Sequence, residues 1–195
     1  MDPKTDTRDL ILQAAMRRVM HYGYAKTTMA DIASDCDMSV GNIYRFFAAK
    51  LDIAEAMARK LNIEVHQTYG QIARDTARPA AERLRELLHY TMTRTFEILE
   101  SKPHALEVAE VLSRERYEFA NEELATQRVF LIRILEQGVT EGTFAPGDLP
   151  FKAEMLQAAT MKFSYPQLWT RLTLPALERE LDGVVDLVLT GLSSR

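Results

Sequence analysis

The sequence predicts an all-α fold of about nine helices, with three short ones at the N-terminus and a larger helical body after them. Three observations predict it. Apolar residues recur at spacings of three and four along almost the whole chain, as they do in helices with one buried face. Glycine and proline are scarce, 8 and 7 in 195 residues, and no turn dipeptide separates two alternating runs, so strands and hairpins have no signature. Finally, DIASDCDMSVGNIYRFF (Asp31 to Phe47) reads as two short helices around a tight turn. The second of these is too polar for a core helix and too poor in Lys and Glu for an ordinary solvated one.

Each element has its reasons. The first helix is predicted over Thr7 to Tyr22, with Leu10, Ile11, Ala14, Ala15 and Val19 as its buried stripe and Gly23 as a left-handed stop. Thr28 and Asp31 have the spacing of a capping box, which starts a second helix burying Ile32 and Ala33 and ending near Cys36. After the turn at Asp37-Met38, Ser39 is the natural N-cap of a third, with Ile43, Phe46 and Phe47 pointing inward. A long amphipathic helix follows from Lys50 to about Ala77; Pro79 disfavours helix at Arg78 and closes it. Further helices are predicted at 81–100, with Leu84, Leu88, Met92 and Phe96 in one line, from Pro103 to about Ser113, and at 117–141, 151–163 and 175–192.

Composition excludes whole classes. Hydrophobic residues make up 47% and charged residues 27%, enough for a core and for solubility. Cys36 is the single cysteine, so no intrachain disulfide can form. The N-terminal stretch has early acidic residues and no unbroken apolar run, which predicts neither a signal peptide nor a membrane span, and hence a cytoplasmic protein without membrane contact. The net charge of −4 argues against a generic nucleic-acid coat. It is unevenly spread: residues 1–60 hold nine Lys and Arg against eight Asp and Glu, the remainder fifteen against twenty. A nucleic-acid contact would be local and N-terminal. No glycine-rich phosphate loop, Cys-x-x-Cys or nucleophile elbow is present, so an enzyme reading, catalytic residues and a cofactor have nothing to stand on.

Three short helices, with a tight turn between the second and third, make a helix-turn-helix unit, whose last helix enters the DNA major groove. The composition of that helix then makes sense. Gly41 lets a backbone approach closely, Asn42 can pair with adenine or a phosphate, and Tyr44 and Arg45 bring a hydroxyl and a cation. TTMADIASDCDMSVGNIYRFFAAK, together with the preceding ILQAAMRRVMHYGYAKTT, resembles the DNA-binding signature of the TetR family of transcriptional regulators over about residues 7 to 57. EGTFAPGDLP and FSYPQLW are similar to a loop and a late helix of many such chains. The resemblance implies a homodimer that binds double-stranded DNA at a palindromic operator and has a C-terminal effector domain. It implies phosphate contacts from Thr27, Thr28 and Lys50, and a reading surface of Ser39, Val40, Gly41, Asn42, Tyr44 and Arg45. Asp37 stands where the family usually has Gly, Ala49 where a Ser usually caps the fourth helix, and Arg18 where an apolar residue is common.

Plainer readings compete for several residues. A helical hairpin within a bundle would also explain 28–47, without the family match. Glu86 and His89 have the spacing of a di-iron half-site but lack a second pair, so no metal is expected. The line through Met92 and Phe96 is most simply core, yet His89, Met92, Thr93, Phe96, Phe119, Phe163 and Trp169 are aromatic and polar enough for some of them to line a pocket for a small hydrophobic ligand. Met155, Ala158, Ala159 and Lys162, with Leu177, Leu181, Val184 and Val188, form apolar faces on the last two helices and are the expected dimer interface. The domain division expected is 1–50 for the helix-turn-helix domain, the fourth helix 50–77 as linker, and 78–195 for effector binding and dimerisation. The reading is a ligand-responsive repressor; the alternatives are a DNA-binding architectural or adaptor protein without an effector and, more distantly, a helical di-metal enzyme.

Overall fold

Helix starts and stops in this chain follow local chemistry. The structure, a computed structural model, describes residues 3–193, with the side chains of 3–5, 103, 168 and 169 outside the described set. Ten helical segments are described: α1 Pro3–Tyr22, α2 Met29–Asp35, α3 Val40–Tyr44, α4 Lys50–Arg74, α5 Ala80–Ser101, α6 Pro103–Glu115, α7 Tyr117–Thr140, α8 Leu149–Ser164, α9 Pro166–Trp169 and α10 Leu174–Leu192. Nine match the expected elements. The four-residue α9 was not anticipated, and α4 ends at Arg74, short of Ala77. No strand occurs among the described residues, whose one isolated bridge joins Phe144 to Ser193. None of their helices is long and apolar enough to cross a membrane.

The chain divides into two compact units. The first comprises residues up to Glu64 together with Leu99–Ala120; the second comprises Val65–Ile98 and the chain from Asn121 onward. This differs from the expected division at residue 50. The reason is apolar burial: Val108, Leu112 and Phe119 pack into one core with Ile11, Ala15, Val19, Ile32, Ile43, Phe47, Ile53 and Met57. Leu10 is a second correction, being 44% exposed while Leu12 is buried. Leu10 lies about 100° round α1 from Ile11, on the side away from Val19 and Leu12.

Within the first unit, Thr28 and Asp31 complete the capping box and Ser39 caps α3 through Asn42 N–H. Gly23 (φ +94) and Asp37 (φ 54) take the two left-handed turns; Asp tolerates that region better than most residues. Arg18 reaches across to α2, donating to Asp35 at 2.5 and 2.8 Å and lying 3.5 Å from Asp31. Its polar character thus serves a contact between helices.

In the second unit, Tyr69, Leu84, Leu88, Met92, Leu131, Leu135, Leu156, Phe163, Leu177, Leu181 and Val185 form the core. Arg83 is fully buried in it, and every donor it uses finds an oxygen: Arg78 O at 3.0 Å, Ala73 O at 3.1 Å, Glu141 Oε1 at 3.2 Å and Gln137 Oε1. A buried guanidinium is tolerated only with such partners. Glu141 also accepts from Ala80 N–H at 2.9 Å, satisfying a free amide at the start of α5. Phe144 lies over Gly138 so closely that a Cβ there would sit 2.0 Å from its ring. Helices α8 and α10 run antiparallel: Ala145 N–H bonds Leu192 O at one end, and Lys162 pairs with Glu180 at the other.

Candidate nucleic-acid interface

The face of α3 is laid out by its anchors. Ile43 is fully buried and Phe47 nearly so, which fixes the helix in the first unit's core, while Phe46 is only partly buried. Val40, Gly41, Tyr44 and Arg45 consequently face outward, with Tyr44 52% exposed. Among the described residues, the Tyr44 hydroxyl and the Arg45 guanidinium have no hydrogen-bond or ion-pair partner, so both are available to a ligand. Ser39 is exposed but occupied as a cap, and Asn42 is half-buried. A Cβ built on Gly41 meets nothing within 4 Å, so packing does not demand glycine there.

Thr28 is exposed, with its hydroxyl 2.7 Å from Asp31 Oδ2 and 3.1 Å from Asp31 N–H. Thr27 requires a correction. It is 1% exposed and its hydroxyl donates to Gly23 O at 2.9 Å, so its side chain closes the α1–α2 loop instead of facing solvent. Lys50 is half-buried. Its ammonium donates to Tyr24 O (2.7 Å) and Thr27 O (2.8 Å) and stands 4.1 Å from the Tyr24 ring centroid. Burial pulls its pKa below the ordinary lysine value, against the opposing charge of Glu107. One ammonium proton is left for an outside acceptor.

The same loop is held from its other side by Glu107 of α6, which accepts from Tyr24 N–H at 2.9 Å and Ala25 N–H at 2.7 Å. The start of α4 lacks a capping hydroxyl at Ala49. Asp52 makes the reciprocal half of a capping box, accepting from Ala49 N–H at 2.9 Å, and Arg116 holds Asp52 at 2.5 Å and Glu55 at 3.2 Å. Sequence reasoning missed Glu107 and Arg116. Both lie far along the chain from their partners and carry no local motif.

The residues expected to line a ligand pocket are not gathered in one place. Met92 and Phe163 are core residues of the second unit, and Phe96 is half-buried, its carbonyl accepting from Gln167. Thr93 is half-buried. His89 bonds Asp182 at 2.9 Å beside Arg85, while Glu86 is held by Arg78 at 2.6 Å, so the two face different partners. Phe119 belongs to the other core, under the Arg59 guanidinium at 4.7 Å. The Trp169 side chain lies outside the described residues. The second unit instead contains a small cavity of about 30 Å³ bordered by Tyr69, Thr91, Leu124, Gln127, Gln157 and Thr160, among others. Polar residues on the buried face of α8, Gln157 and Thr160, were the signal for it in the sequence.

The expected dimer faces are partly corrected as well. Leu177 and Leu181 are buried in the chain's own core, and Val184 and Val188 are packed against it. Met155, Ala158 and Ala159 are exposed, as is Phe151, and Lys162 is half-buried in its pairing with Glu180. On α10 the outward stripe is Gly183, Leu187 and Gly191, spaced by four, with Leu187 76% exposed.

Comparison with known proteins agrees with this geometry. Residues 11–57 match the model for bacterial regulatory proteins of the tetR family, and residues 80–185 match the tetracyclin repressor-like C-terminal domain. The chain is 28% identical over 145 residues to the HTH-type transcriptional repressor KstR2 of Mycobacterium tuberculosis, covering 71% of this chain and 70% of that one. Among solved structures, a TetR-family transcriptional regulator from Pectobacterium atrosepticum superposes with a TM-score of 0.76 at 18% identity, covering 98% of this chain and 96% of that one. SmeT, the repressor of the Stenotrophomonas maltophilia multidrug efflux pump SmeDEF, superposes with a TM-score of 0.70 at 20% identity, covering 96% and 90%; its triclosan complex gives 0.68 at 19%, covering 97% and 92%. With a helix-turn-helix unit whose α3 face is outward and a family model spanning more than half its length, the chain belongs to the TetR family of transcriptional regulators.

Proposed function

We propose that the chain represses transcription by binding a palindromic operator as a homodimer, and that a small hydrophobic molecule releases it. The observation that carries the DNA half of this reading is the exposed α3 face, where Tyr44 and Arg45 project from a helix locked by Ile43 and Phe47. Tyr44, Arg45 and Asn42 would read base edges and phosphates in the major groove, with Thr28 and the free Lys50 proton on the backbone. The dimer would form through the exposed faces of α8 and α10, Met155, Ala158 and Ala159 with Gly183, Leu187 and Gly191. Glycines and alanines allow close helix approach, and a two-fold axis would make such a face self-complementary. Two reading helices would then be set about 34–36 Å apart.

The ligand half is supported by relatives: KstR2 is named a repressor, and SmeT has been solved with triclosan. In this chain α4, like α5 and α7, contributes residues to both units, which makes it one of the elements through which occupancy of the second unit would reach the first. The deciding experiment is a titration of any effector found by thermal shift, with and without saturating operator. Linkage requires the operator to weaken effector binding by the factor with which the effector weakens operator binding. Equal effector affinities in both titrations would leave a DNA-binding regulator without gating. A Tyr44→Ala chain that kept full operator affinity would remove α3 as the reading helix.

A further inference from the structure

His66 on α4 and Glu123 on α7 sit in the second unit with an unresolved need. Nε2 and Oε2 are 3.1 Å apart, close enough for an ion pair, but the angles make no hydrogen bond, and neither buried atom has another partner. Buried polar atoms without partners are uncommon in folded proteins, and such an atom needs a cause. Two aromatic rings adjoin His66, and a third adjoins one of those. His66 is 6.3 Å from the Tyr69 ring and 6.1 Å from that of Phe130, and Tyr69 is 5.8 Å from Phe130 and 5.9 Å from Tyr90. Among the described residues no lysine or arginine comes within ion-pair distance of Glu123.

We propose that this cluster is the receptor for a small organic cation with an aromatic body, its positive centre held by the Glu123 carboxylate beside the rings of Tyr69 and Phe130. The proposal rests on the reading of the chain as a ligand-gated regulator and names the ligand class of that regulator. The chemistry selects the sign. Aromatic faces carry negative potential and attract cations, the more so when shielded from water. A carboxylate repels an anion, and a neutral apolar guest would leave Oε2 without a partner. A cation compensates the charge of Glu123 Oε2, while His66 Nε2 keeps its own deficit. Space lies beside it: Tyr69 also borders the cavity of about 30 Å³, and its hydroxyl is 2.7 Å from Thr91 Oγ1 on that side. That volume holds about a water or two, so a ring-sized guest must push apart the side chains that border it, Tyr69 among them.

The test uses the full chain and two probes of the same shape, phenyltrimethylammonium and tert-butylbenzene, titrated by calorimetry and by the tyrosine resonances. The cation is expected to bind at least tenfold more tightly than the neutral isostere and to shift Tyr69. Glu123→Gln should weaken the cation at least tenfold and leave the neutral probe unchanged, while Glu123→Asp keeps the preference. Equal binding of the two probes, or an unchanged cation affinity in Glu123→Gln, overturns the proposal. Should Glu123→Gln fail to fold, the contrast between the two probes on the natural chain decides alone. Gel shifts separate this from the wider reading. Glu123-dependent cation binding that leaves operator affinity unchanged sustains the ligand class and removes gating. Release of operator by other molecules, with no cation preference, sustains gating and removes the ligand class.

Discussion

Replacing Glu107 by Gln tests how the loop between α1 and α2 is held. The carboxylate accepts from two backbone amides, Tyr24 N–H at 2.9 Å and Ala25 N–H at 2.7 Å, one on each oxygen. Gln retains a single neutral acceptor and turns an NH2 toward one of those amides, so one bond is lost outright and the other loses its charge. Hydrogen bonds to charged groups contribute about 1.5–3 kcal/mol each and neutral ones about 1. The Glu107 side chain is 30% exposed, so water replaces part of the loss. The expected cost is about 2 kcal/mol, a fall in melting temperature of roughly 4–8 °C for a chain of this size. Urea denaturation followed by circular dichroism measures the total, and hydrogen exchange at the Tyr24 and Ala25 amides locates it. The loop also supplies the carbonyls that hold Lys50, so operator affinity should drop with loop order. An unchanged urea midpoint together with unchanged protection of those two amides would show that Glu107 contributes nothing, and the reasoning from these two bonds would be wrong.

Lys50→Met should cost about 1–2 kcal/mol of stability, since two charged bonds to carbonyls are lost but a half-buried charge is relieved; the slope of operator affinity against salt should fall by no more than about 1, as measured by fluorescence anisotropy at several salt concentrations. Gly138→Ala places a Cβ 2.0 Å from the Phe144 ring, and overpacking should outweigh the better helix propensity, giving a net loss of about 1–2 kcal/mol in denaturant titration that Phe144→Leu partly restores. Asp31, through its bond to the Thr28 hydroxyl, and Asp35, through its bond to Arg18, titrate below the ordinary 3.8. Their folded pKa values are thus lower than the unfolded ones, so the stability they contribute is present above pH 3.8 and is lost as pH falls through the folded values. Melting temperatures between about pH 5 and pH 3 should show this loss, and Arg18→Met should flatten it.

Local features were legible in the sequence. A cap is decided by residues three apart and a left-handed turn by one residue, so Thr28, Asp31, Ser39 and Gly23 could be assigned from neighbours alone, while the left-handed turn at Asp37 came from the family resemblance. What required the folded chain was which of several apolar faces meets what. Helix α10 has a stripe through Leu177, Leu181 and Val185 that closes the chain's own core and another through Gly183 and Leu187 that stays exposed. Periodicity marks both as apolar and cannot rank them. Phe119 failed for the same reason. Its ring suits a pocket or a core equally, and only the position of α6 and the first turn of α7 put it with Ile53 and Met57. Thr27 and Thr28 are adjacent and chemically identical, yet one hydroxyl is buried on Gly23 O and the other caps α2.

Arg18, Ala49 and Asp37, the three places where the chain departs from the family pattern, show how such differences are absorbed. Asp37 holds φ 54 by itself. Arg18 needs α2, because its guanidinium would otherwise sit unpaired beside the packed face of α1; Asp35 and Asp31 answer it at short range in space and seventeen and thirteen residues away in sequence. Ala49 has the longest chain of dependence. With no capping side chain, the helix start keeps the other half of the capping box, Asp52 on Ala49 N–H, and Asp52 is held in turn by Arg116, just past the end of α6. With Glu107 on the α1–α2 loop, this gives α6 and its C-terminal boundary two charged grips, one on each side of the α2–α3 segment that presents Tyr44 and Arg45. Thr28 follows the first grip by three residues from Ala25, and Arg45 precedes the second by seven from Asp52. The segment 99–120 is for this reason joined to the first unit by charged bonds as well as by apolar packing, although nothing in its own composition marks it as such.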